Sequence, residues 1–150
     1  MPDAIAYDLQ GDIAILKAQN PPVNALGHAV RQGLIDGIER AEREGARAVV
    51  IHGDGATYFA GADIREFGKP PQEPHLPDVC NRIEASPLIV VSAMHGTALG
   101  GGLEIALSTH YRIAVPSARM GLPEVHLGLI PGATGTQRLP RLIGVDKALD

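Results

Sequence analysis

The sequence predicts an α/β fold in which short buried strands alternate with loops and helices. Two apolar runs, "RAVVIHG" (47–53) and "PLIVVSAMHG" (87–96), are short, nearly continuous and β-branched. That pattern suits strands covered on both faces of a parallel sheet. Each is followed by glycine, a loop of small residues and a short helix, and the same order returns more loosely after residue 115. Between Gly27 and Glu44, apolar residues at 30, 34, 35, 38 and 41 give a helical period. Repeated strand–loop–helix units present their loops on one side, which suits a site assembled from several loops.

The elements follow in order. "IAYDLQGDIAILKA" (5–18) reads as two strands with a turn at Gly11–Asp12. "NPPVNAL" (20–26) is irregular, because Pro21 and Pro22 remove two backbone donors. The helix from Gly27 to Glu44 stops at Gly45. After the strand at 47–53, "DGATYFAGADIREF" is a loop entering a short helix. "GKPPQEPHLPD" (68–78), with four prolines, is an exposed loop, and "VCNRIEAS" (79–86) is helical. The strand at 87–96 leads into glycines and their helix, and "YRIAVP" (111–116) is a third strand. "PSARMGLPEVHLGLIPG" (116–132) is a turn, a short strand and a short helix, and "TGTQRLPRLIG" (134–144) is a helix despite Pro140.

The 150 residues are expected to form one domain, 1–150. With 45% hydrophobic and only 3% aromatic residues, the core must come from Ile, Leu, Val and Ala. A net charge of −4 gives no general attraction to nucleic acid or to an anionic membrane, so neither is expected as a partner. The single Cys80 excludes an internal disulfide and suits a reducing compartment. No apolar stretch approaches the ~18 residues of a spanning helix, and "MPDAIAYDLQGD" lacks the basic-then-apolar order of a signal peptide. The cytoplasm is expected, or an organelle if a signal lies beyond the C-terminus shown. The six histidines have no close metal spacing, and no metal is expected.

Three stretches carry chemistry. In "AMHGTALGGGLEIAL" (93–107), glycines lead straight into a helix. The first N–H groups of a helix lack internal partners and lie at its positive end, and glycine lets a ligand approach them closely. The N–H of Gly101 can then face an oxygen that gains negative charge. Glu104, in the first turn, would lie near the same ligand, its ionised form favoured by the dipole. The same text also fits a close-packed turn with a helix-end charge; a P-loop is disfavoured because no Lys-Ser/Thr follows. In "FAGADIREF" (59–67), the N–H near Ala62 is a second donor, or the stretch is a tight turn capped by Asp63. In "GLPEVHLGLIPGATGTQRL" (121–139), Pro123 suits a first helical position and sets Glu124 on a rigid stem, or at a charged surface end. Arg138 and Arg141 read as a solvated helix face, with a ligand phosphate as their alternative partner.

Together "FAGADIREF", "AMHGTALGGGLEIALSTHYRIA" and "GLPEVHLGLIPGATGTQRLPRLIG", in this order, resemble the enoyl-CoA hydratase/isomerase (crotonase) superfamily. "NPPVNAL" fits the first loop of that family. The prolines there and in "REFGKPPQEPHLPDV" look more like the hydratase region of multifunctional beta-oxidation proteins, which fuse it to a 3-hydroxyacyl-CoA dehydrogenase. The resemblance implies an α/β, crotonase-like spiral of repeated ββα units, here truncated at its C-terminus, since the text ends at "GVDKALD" as a helix begins. It implies an acyl-CoA thioester substrate and no cofactor, coenzyme A being part of the substrate. The oxyanion donors would be the N–H groups of Ala62 and Gly101, and the catalytic acids Glu104 and Glu124. The backbone at Ala60, Ala62 and Ile64 would hold the adenine end of CoA. The implied activity is hydration of a trans-2-enoyl-CoA in fatty-acid beta-oxidation; an enoyl-CoA isomerase using one acid, or a non-catalytic acyl-CoA-binding fragment, are the alternatives. A homo-oligomer, or a place in a larger multifunctional chain, is the expected setting.

Overall fold

The computed structural model describes residues 3–149, so Met1, Pro2 and Asp150 of the expected 1–150 domain lie outside the described residues. Strands β1 (Ile5–Gln10) and β2 (Ile13–Ala18) form the antiparallel hairpin expected around Gly11–Asp12. Helix α1 (His28–Arg43) then crosses to β3 (Ala48–Gly53). Beyond a 3-10 turn at Ile64–Glu66 come α2 (Leu76–Glu84), β4 (Ile89–Met94), β5 (Thr97–Leu99) and α3 (Gly101–Ser108). The chain continues through β6 (Tyr111–Ala114), β7 (Arg119–Gly121), a 3-10 turn at Pro123–Leu127, α4 (Gly135–Ile143) and α5 (Val145–Leu149).

The main sheet has the order β1-β2-β3-β4-β6, and every pair after the hairpin is parallel. The continuous apolar runs at β3 and β4 are therefore central strands, as their lack of alternation predicts. Helix α1 lies over the sheet and buries Val30, Leu34, Ile38 and Ala41 in the core with Leu16, Val49 and Ile51. Its approach is close: a methyl group at Gly37 would lie 2.6 Å from Leu16 Cδ2. A second, smaller sheet pairs β5 with β7 in parallel, and Phe59 bridges to Ala98 beside them.

This layout is a spiral of ββα units. β3, β4 and β6 each place a strand in the main sheet; Phe59, β5 and β7 follow in the second; a helix or 3-10 turn then closes each turn. The repeat noted after residues 53, 96 and 115 is this succession. Strand ends apart, the start of α2 and the presence of β5 differ from expectation. Helix α2 begins at Leu76, not at 79, because Pro77 is tolerated in a first turn and Asp78 Oδ2 accepts the His75 N–H at 3.0 Å. Strand β5 was hidden in the glycine stretch, since three residues carry no readable period. Among the described residues, no helix is long and apolar enough to cross a membrane.

Candidate active site

The register of the second sheet puts the candidate residues side by side. Phe59 pairs with Ala98, and Ala98 with Met120. Three residues beyond each lie Ala62, Gly101 and Pro123, with Glu124 next. Successive turns of the spiral thus deliver equivalent positions to one place.

The two expected donors face that place for a definable reason. Gly61 O accepts the Leu26 N–H at 2.8 Å. In a trans peptide the N–H points opposite to the C=O, so the Ala62 N–H is turned away from Leu26. Likewise Gly100 O accepts the Glu104 N–H at 3.0 Å in the first turn of α3, which turns the Gly101 N–H out of the helix. Neither amide donates to a protein group among the described residues. A methyl group at Gly101 would lie 3.9 Å from the Ala62 nitrogen, so both donors border one small space. Gly100 makes the turn possible with φ +52° and ψ −125°, a conformation that favours glycine.

The two carboxylates lie near enough to each other to interact, Glu124 beside Gly100 and Glu104 within the helix that Gly101 begins. Glu104 is 2% exposed, and its Oε1 accepts the N–H groups of Ala133 and Gly135, each at 2.8 Å. Those amides are the entry to α4. Sequence reasoning missed them; the small-residue text "GATG" was their only trace. The expectation that the dipole favours ionised Glu104 is corrected here. Burial pushes this carboxyl above its ordinary range and the nearby Glu124 charge adds to it, while the Gly135 and Ala133 amides and Arg138 pull the other way. Glu124 stands in the 3-10 turn after β7, next to Gly100, where an added methyl group would lie 3.0 Å from its Oε1. Its Oε2 is buried without a hydrogen-bond partner among the described residues. Such an orphaned acceptor costs about 1–3 kcal/mol and calls for a functional reason.

The residues expected at the adenine end of CoA are placed less uniformly. The Ala60 N–H is committed to Val23 O at 3.2 Å, and Ile64 is 74% exposed. Asp63 caps the turn, accepting the Arg65 N–H at 3.0 Å, and the Arg65 guanidinium holds its carboxyl below the usual range. Ala62 opens onto a cavity of about 710 Å³ that also touches Arg31, Glu66, Lys69, Gln72, His75 and Leu76. Arg31 fixes one wall by donating to Leu26 O, Gln72 O, Pro74 O and Glu66 Oε2. Asn24, also missed, has φ +51° and donates to Asp54 O and Thr57 O, tying the first loop to the one that leads to Ala62. Arg138 is no solvated residue: its side chain is 14% exposed and bound to Glu84.

Comparisons with known proteins agree with the fold. Residues 8–150 match the family profile described as enoyl-CoA hydratase/isomerase. The chain is 52% identical over 146 residues to the "Peroxisomal bifunctional enzyme" of Danio rerio, covering 96% of this chain and 20% of that enzyme. It is 43% identical over 156 residues to the "Probable enoyl-CoA hydratase" of Bacillus subtilis, covering 99% of this chain and 60% of the relative. The crystal structure of an enoyl-CoA hydratase from Bacillus anthracis superposes with a TM-score of 0.88 at 35% identity, covering 97% of this chain and 60% of that one.

Proposed function

The chain belongs to the enoyl-CoA hydratase/isomerase family, and on that premise we propose that it hydrates a trans-2-enoyl-CoA thioester in fatty-acid beta-oxidation. The observation that supports this most is the convergence of two undonated amides, at Ala62 and Gly101, with two carboxylates, one carrying a buried, unpartnered oxygen. Each part answers a need of the reaction. As water oxygen bonds to C3, the C2=C3 electron pair moves towards the thioester oxygen. Two fixed N–H donors stabilise that charge, each worth roughly 3–4 kcal/mol. Glu104 takes a proton from the attacking water, and Glu124 delivers one to C2. The product is a 3-hydroxyacyl-CoA with one water added, and the two carboxyls reset by exchanging a proton with solvent. A carboxyl raised by burial is a stronger base than an exposed one, which fits Glu104 to this part.

No cofactor is proposed; coenzyme A enters as part of the substrate, its adenine end near Ala60, Ala62 and Ile64. Self-association, or a place in a larger multifunctional chain such as the zebrafish relative, is the proposed setting. The cytoplasm remains the proposed compartment, with an organelle as the alternative that the relative's peroxisomal name favours. A paired assay tests the activity. A trans-2-enoyl-CoA and a 3-enoyl-CoA are incubated separately with the protein, both products are followed, and CoA binding is measured alongside. Formation of 3-hydroxyacyl-CoA from the first substrate is expected. Double-bond migration alone would make the protein an isomerase, and binding without turnover would make it a non-catalytic binder.

A further inference from the structure

Arg138 occupies a position that helix stability does not explain. It lies in the first turn and a half of α4, where a cation opposes the helix dipole. Its partner Glu84 is the last residue of α2, where an anion is equally misplaced. The two meet at 2.7 Å between Arg138 Nη2 and Glu84 Oε2, and each neutralises a charge that its own helix disfavours. The pair therefore locks the start of α4 to the end of α2. From this lock, Arg138 Nη1 donates to Ala133 O at 3.2 Å and to Thr134 Oγ1. Ala133 and Gly135 are the residues whose amides hold Glu104 Oε1.

We propose that Arg138, braced by Glu84, is a positioning residue for Glu104: it fixes the Ala133–Gly135 turn so that both amides grip the carboxylate. The guanidinium makes no hydrogen bond or ion pair with Glu104; besides the pull of its charge through space, it acts through the backbone between them. Lysine cannot replace it, because a single ammonium cannot bond Glu84 and Ala133 O through separate nitrogens of a planar fork. The proposal rests on the hydratase reading for its kinetic consequence but not for its structural one.

The test uses the full chain with Arg138→Met, Arg138→Lys and Glu84→Gln. Arg138→Met is expected to lower kcat on a trans-2-enoyl-CoA by about 10²-fold, the scale set by misplacing a reactive group by about 1 Å, with little change in KM. Arg138→Lys should recover only part of that loss. The Ala133 and Gly135 amide signals, followed by nuclear magnetic resonance, should move in Arg138→Met. The Glu104 carboxyl should titrate higher without the nearby cation, the other groups facing it being Glu124 from the 3-10 turn and Cys80 from α2. If Arg138→Met does not fold, Glu84→Gln decides: its side chain is 59% exposed, and the same signals should shift to a smaller extent. Native amide signals, an unchanged Glu104 titration and an unchanged pH–rate profile in these variants would overturn the proposal. A wild-type protein without hydration would sink the hydratase reading alone, while the amide signals and the titration would still decide the role of Arg138.

Discussion

Glu104 is gripped by two amides and yet pushed towards its neutral form, because almost none of it reaches water. Glu104→Gln and Glu124→Gln are each expected to cut hydration by about 10²–10⁴-fold, the range of a general acid–base contribution. CoA affinity should stay near normal, as measured by calorimetric titration. A second expectation concerns stability. The folded-state value of Glu104 lies above the ordinary 4.5, so folding favours the neutral form. That contribution is fully present below 4.5 and is lost as pH rises through the raised value. Glu104→Gln does not ionise, so its stability relative to wild type should improve as pH climbs through that window. Urea unfolding at several pH values checks it. Both acids were legible in the sequence because each follows a glycine or proline that marks a helix start. The anchors of Glu104 were not, since they lie 29 and 31 residues downstream and act through backbone amides that any residue type supplies.

The loops, not the strands, decide whether the donors face the site. Asn24 is the main tie among them: it donates to Asp54 O and Thr57 O and accepts the Asn20 N–H at 3.0 Å. Asn24→Ala leaves the buried Thr57 O without this donor and breaks the part-buried bonds to Asp54 and Asn20, and is expected to cost about 1–3 kcal/mol by denaturant unfolding. A similar loss is expected for Gly102→Ala, whose new methyl group would fall inside the radius of Phe59 O; forcing extra atoms into a packed site costs about 1–3 kcal/mol. Gly101→Ala meets side-chain ends rather than backbone at close range, Leu76 Cδ2 at 2.6 Å and Leu26 Cδ1 at 3.1 Å, and should be tolerated better. The first hairpin, α1 and the central strands were readable because their patterns, periodic in α1 and continuously apolar in β3 and β4, run over six residues or more. Strand β5 is too short for a period, and the first turn of α2 is masked in the sequence because Pro77 closes a proline-rich stretch.

At the scale of the whole molecule, the spiral explains why residues far apart in sequence meet. The pairing of Phe59, Ala98 and Met120 carries Ala62, Gly101 and Glu124 to one point. The resemblance in the text foretold the spiral; the register that aligns the three turns depends on pairing between strands and is invisible in any one of them. The spiral also leaves β6 at the edge of the main sheet, with Tyr111 and Ile113 more than half exposed, and Val125, Leu127 and Ile130 open nearby in sequence. An unpaired edge with apolar side chains invites association. Concentration-dependent self-association is therefore expected in size-exclusion chromatography with light scattering, weakened by Ile113→Lys. The most direct test of the proposed site is a crystal structure with a bound acyl-CoA thioester that cannot be hydrated. The thioester oxygen is expected within about 2.7–3.1 Å of both the Ala62 and Gly101 nitrogens, with C2 and C3 between Glu104 and Glu124. A thioester bound with its oxygen away from both amides would contradict the assignment.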